Sequence, residues 1–295
     1  MATNNASRLC KSISIKTSRM RKYIVSILIL AVILSSCKKD KKTDVSVMTY
    51  NVRYGLAKDG ENSWENRKKE MLNLIETKSP DFFGTQEGLP FQVKYIKEAM
   101  TNYEFVGKDR DGNGKGENTA IFYNKQKYKV IENYTFWLAK DQTKPNKDWD
   151  ATFPRIYTYG LFEHIQTKKQ LWVMNTHFDH VGVVARQESA KIILKKIKEI
   201  KKKNNLPIIF MGDLNSLPKS KVIKELNTIL YDTNRETKET STFNDFVYNN
   251  PIKKHIDYIF ITKNNIQIKK YKILIDSKKT KYPSDHFPVY TELTF

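Results

Sequence analysis

The sequence predicts an α/β fold in which two mixed β-sheets pack face to face and helices cover the outside. Short apolar runs with the length of strands alternate with longer amphipathic segments through residues 45–295. Some consecutive strands are separated by a turn and others by a helix, which is typical of sheets with both antiparallel and parallel neighbours. The helices form two groups, each following its own strands, so two packed sheets with outer helices would bury every apolar face.

The strands are predicted from apolar runs bounded by turn residues. They cover residues 45–50, 81–86, 119–123, 130–136, 156–165, 171–176, 207–211, 256–261, 273–275 and 289–293. Helices are predicted where apolar residues recur at helical spacing, at residues 64–77, 92–100, 186–202 and 222–230. The glycine-rich segment 109–116 (DRDGNGKG) precedes no helix and lacks the lysine-serine pair of a phosphate loop, so it is predicted to be a turn between strands.

The N-terminal 37 residues have the composition of a targeting segment. Residues 23–34 (YIVSILILAVIL) are apolar except for Ser26, follow Arg21 and Lys22, and are too short to span a bilayer comfortably. Cys37 follows in the position of the lipidated cysteine of a bacterial lipoprotein signal, and a start at Met20 would give a complete signal of that kind. A single membrane anchor helix is the alternative. We therefore predict an exported protein, held at the membrane of a bacterial envelope by Cys37.

The rest of the chain is predicted to be a short tether, residues 38–44, and one domain, residues 45–295, without an internal linker. Cys10 and Cys37 are the only cysteines, so this domain has no disulfide. Residues 1–43 hold ten Lys or Arg and one Asp, so of the net charge of +20 the domain keeps +11. This excess favours an anionic partner such as a phosphate ester, a nucleic acid or a lipid headgroup, although most lysines are expected on the solvated surface.

Polar residues suited to one chemistry recur at the predicted strand ends. Any one of them alone is more typical of a turn or a cap. Strand ends are also where α/β folds build their sites, so the recurrence predicts that these side chains converge. They are Asn51, Glu87, His177, Asp213, Asn215, Asp257, Asp285 and His286.

These residue types indicate metal-assisted hydrolysis of a phosphate ester. The domain has no cysteine and no HExxH helix for zinc, and carboxylate-rich sites select hard cations such as Mg²⁺ or Mn²⁺. A cation neutralises charge on the phosphate while a carboxylate positions water and donors surround the transition state. Arg155, just before a predicted strand, is a candidate donor.

The motifs TYN, TQE, NTH, GDLNS, IDYIF and SDHFPV occur in this order, and with them the chain from about Val45 to Phe295 resembles the endonuclease/exonuclease/phosphatase superfamily. Its members include pancreatic-DNase-like nucleases, abasic-site endonucleases, deadenylases, bacterial sphingomyelinases and inositol-phosphate phosphatases. The resemblance implies a four-layer α-β-β-α sandwich.

The resemblance also implies roles for individual residues. Glu87 would be the main metal ligand, with Asn51 and Asp285 near the same ion. Asp213 would orient or deprotonate the attacking water, and Asn215 would donate a hydrogen bond to the phosphate.

The remaining roles concern the two histidines. His286 would contact a phosphate oxygen and be held by Asp257. His177 would be the second phosphate-facing histidine and would pair with Glu117. Arg155 fits the phosphate-binding arginine of the family.

Two further groups leave alternatives open. Asp179, His180 and Arg186 either line the substrate pocket or cap a helix. Trp64 and Arg67 either line the pocket or pack at a helix start.

The sequence therefore predicts a monomeric phosphoesterase for a small sugar-, inositol- or nucleotide-type phosphate. A DNA or RNA nuclease is the alternative, although we see no long basic arm and no aromatic-and-arginine cluster for stacking a base. A sphingomyelinase-like enzyme is less favoured without an exposed aromatic hairpin. A non-catalytic binding protein on the same fold should have lost Glu87, Asp213 or His286, and the chain keeps all three.

Overall fold

Apolar runs form strands and amphipathic segments form helices throughout the residues that the computed structural model describes, namely 42–235, 241–247, 254–263, 266–275 and 282–295. In chain order the strands are β1 (Asp44–Asn51), β2 (Phe82–Gln86), β3 (Tyr103–Val106), β4 (Ile121–Asn124), β5 (Tyr128–Trp137), β6 (Ile156–His164), β7 (Gln170–His177), β8 (Ile208–Asp213), β9 (Leu230–Asp232), β10 (Asp257–Thr262), β11 (Gln267–Ile273) and β12 (Val289–Thr294). The α-helices are α1 (Trp64–Lys78), α2 (Pro90–Ala99), α3 (Val183–Lys203) and α4 (Lys221–Leu226).

The predicted signal segment, with Cys37, lies outside the described residues. Within the described ranges, no helix is long and apolar enough to cross a membrane.

The strands form two six-stranded sheets, each with one parallel pair. The first sheet has the order β11-β12-β1-β2-β4-β3 and the second β5-β6-β7-β8-β10-β9. Strands β1 and β2 are parallel and joined through α1, and β7 and β8 are parallel and joined through α3. The other neighbouring strands are antiparallel.

This topology gathers chain segments at one edge of the sandwich, which we call the site edge. The carboxyl ends of β1, β2, β7 and β8 lie there, together with the amino ends of their antiparallel neighbours β4, β6, β10 and β12. At the site edge Asn51 is in register with Gln86, and Asp213 is in register with both His177 and Asp257. Residues that end a parallel strand therefore meet residues that begin an antiparallel one.

Three apolar layers separate four layers of secondary structure. In β1, Val45 and Val47 face the second sheet, whereas Met48 and Tyr50 face α1 and α2. The layer between the sheets includes Phe82, Phe162, Val173, Ile209, Ile259 and Val289. The second sheet packs against α3 through the five predicted apolar residues, Ala190, Ile193, Leu194, Ile197 and Ile200, all of which are buried. The predicted α-β-β-α sandwich is confirmed.

The glycine-rich segment 109–116 is a turn between β3 and β4, as predicted. The Asp109 carboxylate accepts hydrogen bonds from backbone N–H groups of Asp111, Asn113, Gly114 and Gly116, at 3.0 to 3.4 Å. The loop is thus closed around its own carboxylate.

The predicted elements depart from the structure at the sheet edges. Strands β3 and β9 have no counterpart in the prediction. The predicted strand 273–275 was wrong in position, because β11 ends at Ile273 and Ile275 is exposed. The predicted helix 222–230 was too long, since its last residue, Leu230, begins β9.

Candidate active site

The eight strand-end residues predicted from the sequence lie together at the site edge. Glu87 and Asn215 are half-buried and the other six are buried. The contacts cross between the sheets: the Asn51 amide on β1 donates to Asp213 Oδ2 at the end of β8, at 3.1 Å. Two sheets therefore contribute to one polar cluster.

Local backbone geometry brings the carboxylates into this cluster. Gly212 has φ +148°, and a Cβ there would lie 2.1 Å from the Thr176 carbonyl oxygen on the parallel neighbour, so only glycine lets β8 deliver Asp213 beside His177. Glu87 (φ +62°) and Asn215 (φ +45°) adopt left-handed backbone directly after β2 and β8. Such conformations cost energy for residues with a side chain, and they turn these two side chains into the site.

The predicted metal ligands form an oxygen-rich group. Asn51 donates to Glu87 Oε1 at 3.0 Å, and the backbone N–H of Tyr54 donates to Glu87 Oε2 at 2.7 Å. Burial opposes ionisation of Glu87, but the Asn51 hydrogen bond and the positive charge of His286 keep its pKa below the ordinary value. Burial, together with the negative charge of Glu87, raises the pKa of Asp285.

Two neighbouring carboxylates that repel one another are suited to share a divalent cation, and their hard oxygens fit Mg²⁺ or Mn²⁺. Asp213, Asp257 and His286 form a second group that could hold a metal ion, with one ligand atom of each within 4.8 Å of the others. That group includes an imidazole nitrogen, whereas the group at Glu87 and Asp285 offers oxygen atoms alone, the ligands that hard cations prefer. The group at Glu87 and Asp285 is therefore the better fit to a hard cation.

His286 is a buried imidazolium. Its Nδ1 donates to Asp257 Oδ2 at 2.9 Å, and its Nε2 lies 3.8 Å from Asp213 Oδ2. Burial alone would lower the pKa of His286, but the Asp257 carboxylate outweighs this and raises it to about 10. The raised pKa favours the protonated ring, whose two nitrogens face Asp257 and Asp213.

Asp213 is the carboxylate at which the cluster converges. Its Oδ1 accepts the Asn215 backbone N–H at 2.9 Å, and its Oδ2 accepts from Asn51. Burial, with the nearby negative charge of Asp257, raises the pKa of Asp213 to about 7. A carboxylate with a pKa near neutrality is suited to accept a proton during a reaction at that pH.

His177 is held neutral by an arginine. Burial and the positive charge of Arg155 lower the pKa of His177 well below the ordinary value. Arg155 Nη1 lies 2.9 Å from His177 Nδ1, and because a guanidinium can only donate, Nδ1 must be the accepting nitrogen. The proton is then on Nε2, which faces Asp213 Oδ2 at 3.5 Å.

The expected pairing of Glu117 with His177 is not found. Glu117 accepts a hydrogen bond from Arg110 at 2.7 Å and lies 4.0 Å from Arg155. It therefore acts on His177 only through Arg155. The reason is that the turn at residues 109–116 brings Arg110 next to Glu117. The Glu117 carboxylate therefore pairs with this arginine and not with His177.

Asp179 belongs to the capping network rather than to an open pocket. Its Oδ1 accepts from Val181 and Gly182, and its Oδ2 accepts from Thr152 and Phe153, so it joins the start of α3 to the segment before β6. Arg186 on α3 donates to the Asp179 carbonyl at 2.9 Å. His180 is different: it is exposed, and its Nδ1 lies 3.2 Å from Arg155 Nη2.

Trp64 and Arg67 are also packing residues at a helix start, the second of the two predicted alternatives. Arg67 is 4% exposed and donates to backbone carbonyls of Val52, Arg53 and Asn62. Trp64 is buried among aromatic rings of α2. With its donors occupied by the backbone, Arg67 organises the loop after β1 instead of facing a substrate.

Arg53 and Arg110 lie at the site but were not predicted from the sequence. Arg53 Nη1 lies 3.3 Å from Asp285 while its other nitrogens bind Asp59, and Arg110 lines the cleft with Glu87, Glu117 and Arg155. A signal for both was present, since residues 45–295 contain six arginines among many lysines. Five of these arginines are described with side chains, and all five lie at the site edge: Arg53, Arg67, Arg110, Arg155 and Arg186.

The structure also contains an aromatic-and-arginine cluster that the sequence analysis did not find. Phe153 lies over Arg110 and next to His180 and Arg155. These residues come from three separate segments of the chain, so no local sequence pattern predicts the cluster. The expectation that the chain has no aromatic-and-arginine cluster was therefore wrong.

Comparison with known proteins agrees with this geometry. A sequence model of the "Endonuclease/Exonuclease/phosphatase family" matches residues 48–286. A solved family protein from Bacteroides thetaiotaomicron is 34% identical, with 86% of this chain and 99% of that chain covered at a TM-score of 0.82. A mannosyl-6-phosphatase of the same organism is also 34% identical, with coverage of 85% and 100% and a TM-score of 0.81. The catalytic domain of human Nocturnin, 18% identical with coverage of 86% and 96%, shares the fold at a TM-score of 0.68.

Proposed function

The chain belongs to the endonuclease/exonuclease/phosphatase family, whose members hydrolyse phosphoester bonds, and we propose that it hydrolyses a small phosphate monoester of the sugar-phosphate type with Mg²⁺ or Mn²⁺. One observation carries the proposal: a carboxylate with a pKa near 7, Asp213, lies between an imidazolium, His286, and a neutral histidine, His177. The 34% identity to a mannosyl-6-phosphatase supports the choice of substrate.

The reaction adds water across the P–O ester bond and yields an alcohol and inorganic phosphate. Asp213 orients the attacking water and takes its proton. The His286 imidazolium and the Nε2–H of His177 donate to phosphate oxygens, together with the Asn215 amide, and stabilise the negative charge of the transition state. Arg155 donates to Nδ1 of His177, which keeps the proton of that ring on Nε2, and it adds positive charge near the phosphate.

Glu87 and Asp285, with Asn51, would hold the cation. When bound, it supplies positive charge that neutralises the phosphate oxygens.

A panel of substrates with Mg²⁺ tests the proposal. It should contain mannose 6-phosphate and other sugar phosphates, p-nitrophenyl phosphate, bis-p-nitrophenyl phosphate, plasmid DNA, RNA and sphingomyelin. We expect sugar phosphates to give the highest kcat/KM. Cleavage of plasmid DNA or RNA without turnover of any phosphomonoester would instead identify the chain as a nuclease.

Removal of the cation should abolish activity. We expect no turnover in EDTA and recovery with Mg²⁺ or Mn²⁺, and we expect Glu87→Gln to raise the cation concentration needed for half-maximal activity strongly. Cation at about 100 times its dissociation constant stabilises the fold by ~2.7 kcal/mol, which corresponds to several degrees in melting temperature. That thermal shift should be lost in Glu87→Gln and kept in Glu163→Gln, a control at the opposite edge. Full activity in EDTA would exclude a metal-dependent reaction.

We further propose that the protein is an envelope lipoprotein whose first mature residue is Cys37. Metabolic labelling with a fatty acid should mark the wild-type protein and fail with Cys37→Ala, which should also leave the membrane fraction. Cys10→Ala is the matched control, because it removes the other cysteine and should leave labelling unchanged. Labelling that persists in Cys37→Ala contradicts the lipoprotein proposal.

A further inference from the structure

An exposed aromatic pair lies against two arginines of the site, Arg110 and Arg155. Phe153 is 42% exposed, and its ring centroid lies 4.7 Å from the Arg110 guanidinium carbon and 6.0 Å from that of Arg155. The exposed ring of His180 stacks beside it, with centroids 5.9 Å apart and planes 14° apart. The two ring planes are thus nearly parallel and lie against the arginines, and we call this pair the Phe153–His180 platform.

The platform is held by buried polar groups. The Asp179 carboxylate accepts backbone N–H groups from Phe153 at 3.3 Å on one segment and from Gly182 at 2.7 Å on the other. Arg155 Nη2 contacts His180 Nδ1 at 3.2 Å. Exposed apolar side chains are common on protein surfaces. This ring is both exposed and held in position, which makes it a candidate binding surface.

One guanidinium separates the platform from the reaction centre. Arg155 contacts His177 through Nη1 and His180 through Nη2. A phosphate bound at His177 and Asp213 would therefore carry its alcohol portion within reach of the two rings.

We propose that the Phe153–His180 platform is a subsite on which the ring of the leaving alcohol stacks, so that the substrate is a phosphate carried by a single sugar or nucleoside ring. This inference rests on the proposed phosphomonoesterase activity and names its substrate class. Aromatic faces bind the C–H face of a sugar or the face of a base. Because Arg155 donates to Nδ1 of His180, the ring proton is on Nε2, which can donate to a ring hydroxyl or carbonyl.

The size of the platform favours one ring over a nucleic-acid strand. Proteins that hold single strands offer successive aromatic side chains to successive bases. Among the described residues, Phe153 and His180 are the only exposed stacked ring pair on the arginines of the cleft.

Phe153→Ala and His180→Ala test the platform on three substrates: mannose 6-phosphate, AMP and the ringless glycerol 3-phosphate. We expect kcat/KM for ring-bearing substrates to fall about 3- to 10-fold, mainly through KM, as loss of one stacking contact predicts. Glycerol 3-phosphate should change less than about 2-fold, because it has no ring to lose. Tyr134→Ala is the control, since Tyr134 is equally exposed at 42% but lies on the outer strand β5.

Each outcome decides the proposal. A loss confined to mannose 6-phosphate or to AMP supports the subsite and identifies the ring as a sugar or a nucleoside. An equal loss on all three substrates would show that Phe153 only holds Arg110 and Arg155, and no loss would show that the rings do not touch the substrate; either result overturns it.

A binding measurement separates this proposal from the proposed function. If the wild type hydrolyses none of the three, the phosphomonoesterase proposal fails. Calorimetric binding of mannose 6-phosphate and AMP in the Asp213→Asn background, with and without Phe153→Ala, still reports on the platform. Equal affinities with and without the ring would overturn the subsite.

Discussion

Asp213→Asn is expected to lower kcat by ~10²–10⁴-fold, the usual effect of losing a general base, while the protein stays folded. The substitution keeps the shape of the side chain and its ability to form local turns, but it removes the charge and the proton acceptor. Asp213 has a pKa of about 7 and lies between the imidazolium of His286 and the Nε2–H of His177, so its carboxylate has no substitute in the cluster.

The stability of Asp213→Asn should change little, for two opposing reasons. The asparagine oxygen can still accept the Asn215 backbone N–H, but its amide nitrogen would face the Asn51 amide, and one hydrogen bond of about 1 kcal/mol is lost. Removing the buried charge near Asp257 offsets part of this. A net change within about 1 kcal/mol corresponds to a shift of about 2–4 °C in a domain of this size.

The measurement is turnover of a working substrate together with a thermal melt. Asp81→Asn is the matched control, because Asp81 is a buried carboxylate at the opposite edge, where it accepts hydrogen bonds from the Ser46 backbone N–H and from Lys127. It should retain near-normal turnover. A near-normal rate in Asp213→Asn would remove Asp213 from the reaction and leave GDLNS as a turn.

The interior of the fold could be predicted from the sequence because interior strands are buried on both faces. Strands such as β8 and β10 are continuous apolar runs, and α3 repeats its apolar residues at helical spacing. The strands that were missed or misplaced are sheet-edge strands. In β11 (QIKKYKI) only Tyr271 and Ile273 are buried, so lysines interrupt the pattern. Strands β3 and β9, with four and three residues, are too short for any periodicity to develop.

The part of the site that lies at strand ends could be predicted from the sequence. Asn51, His177 and Asp213 end parallel strands, and topology alone brings them to one edge. The contacts between arginines and carboxylates could not be predicted, because they depend on loop conformation. Arg110 reaches Glu117 only because the glycine-rich turn folds back, and Phe153 meets His180 only because Asp179 joins their segments.

The positive charge of His286 is expected to make kcat/KM depend strongly on pH. The Asp257 carboxylate raises the pKa of His286 to about 10 against the effect of burial, so the imidazolium is fully present below that pH and is lost as the pH rises through it. Asp213 must lose its proton to act, and its pKa is about 7. The wild-type kcat/KM should therefore rise through about pH 7, stay high, and fall as the pH passes about 10.

Asp257→Asn should move both limbs of this profile to lower pH. The neutral amide can keep the contact with His286 Nδ1 but withdraws the charge that raises the pKa of His286, and it also removes the negative charge that helps to raise the pKa of Asp213. A histidine with an ordinary pKa of ~6.5 is about 0.3% protonated at pH 9. We therefore expect kcat/KM at pH 9 to fall ~10²-fold, with a much smaller loss near pH 6. Asp150→Asn, which alters a carboxylate at the start of α3 away from His286, should leave both limbs in place. An alkaline limb unchanged by Asp257→Asn would mean that the imidazolium of His286 is not needed in the transition state.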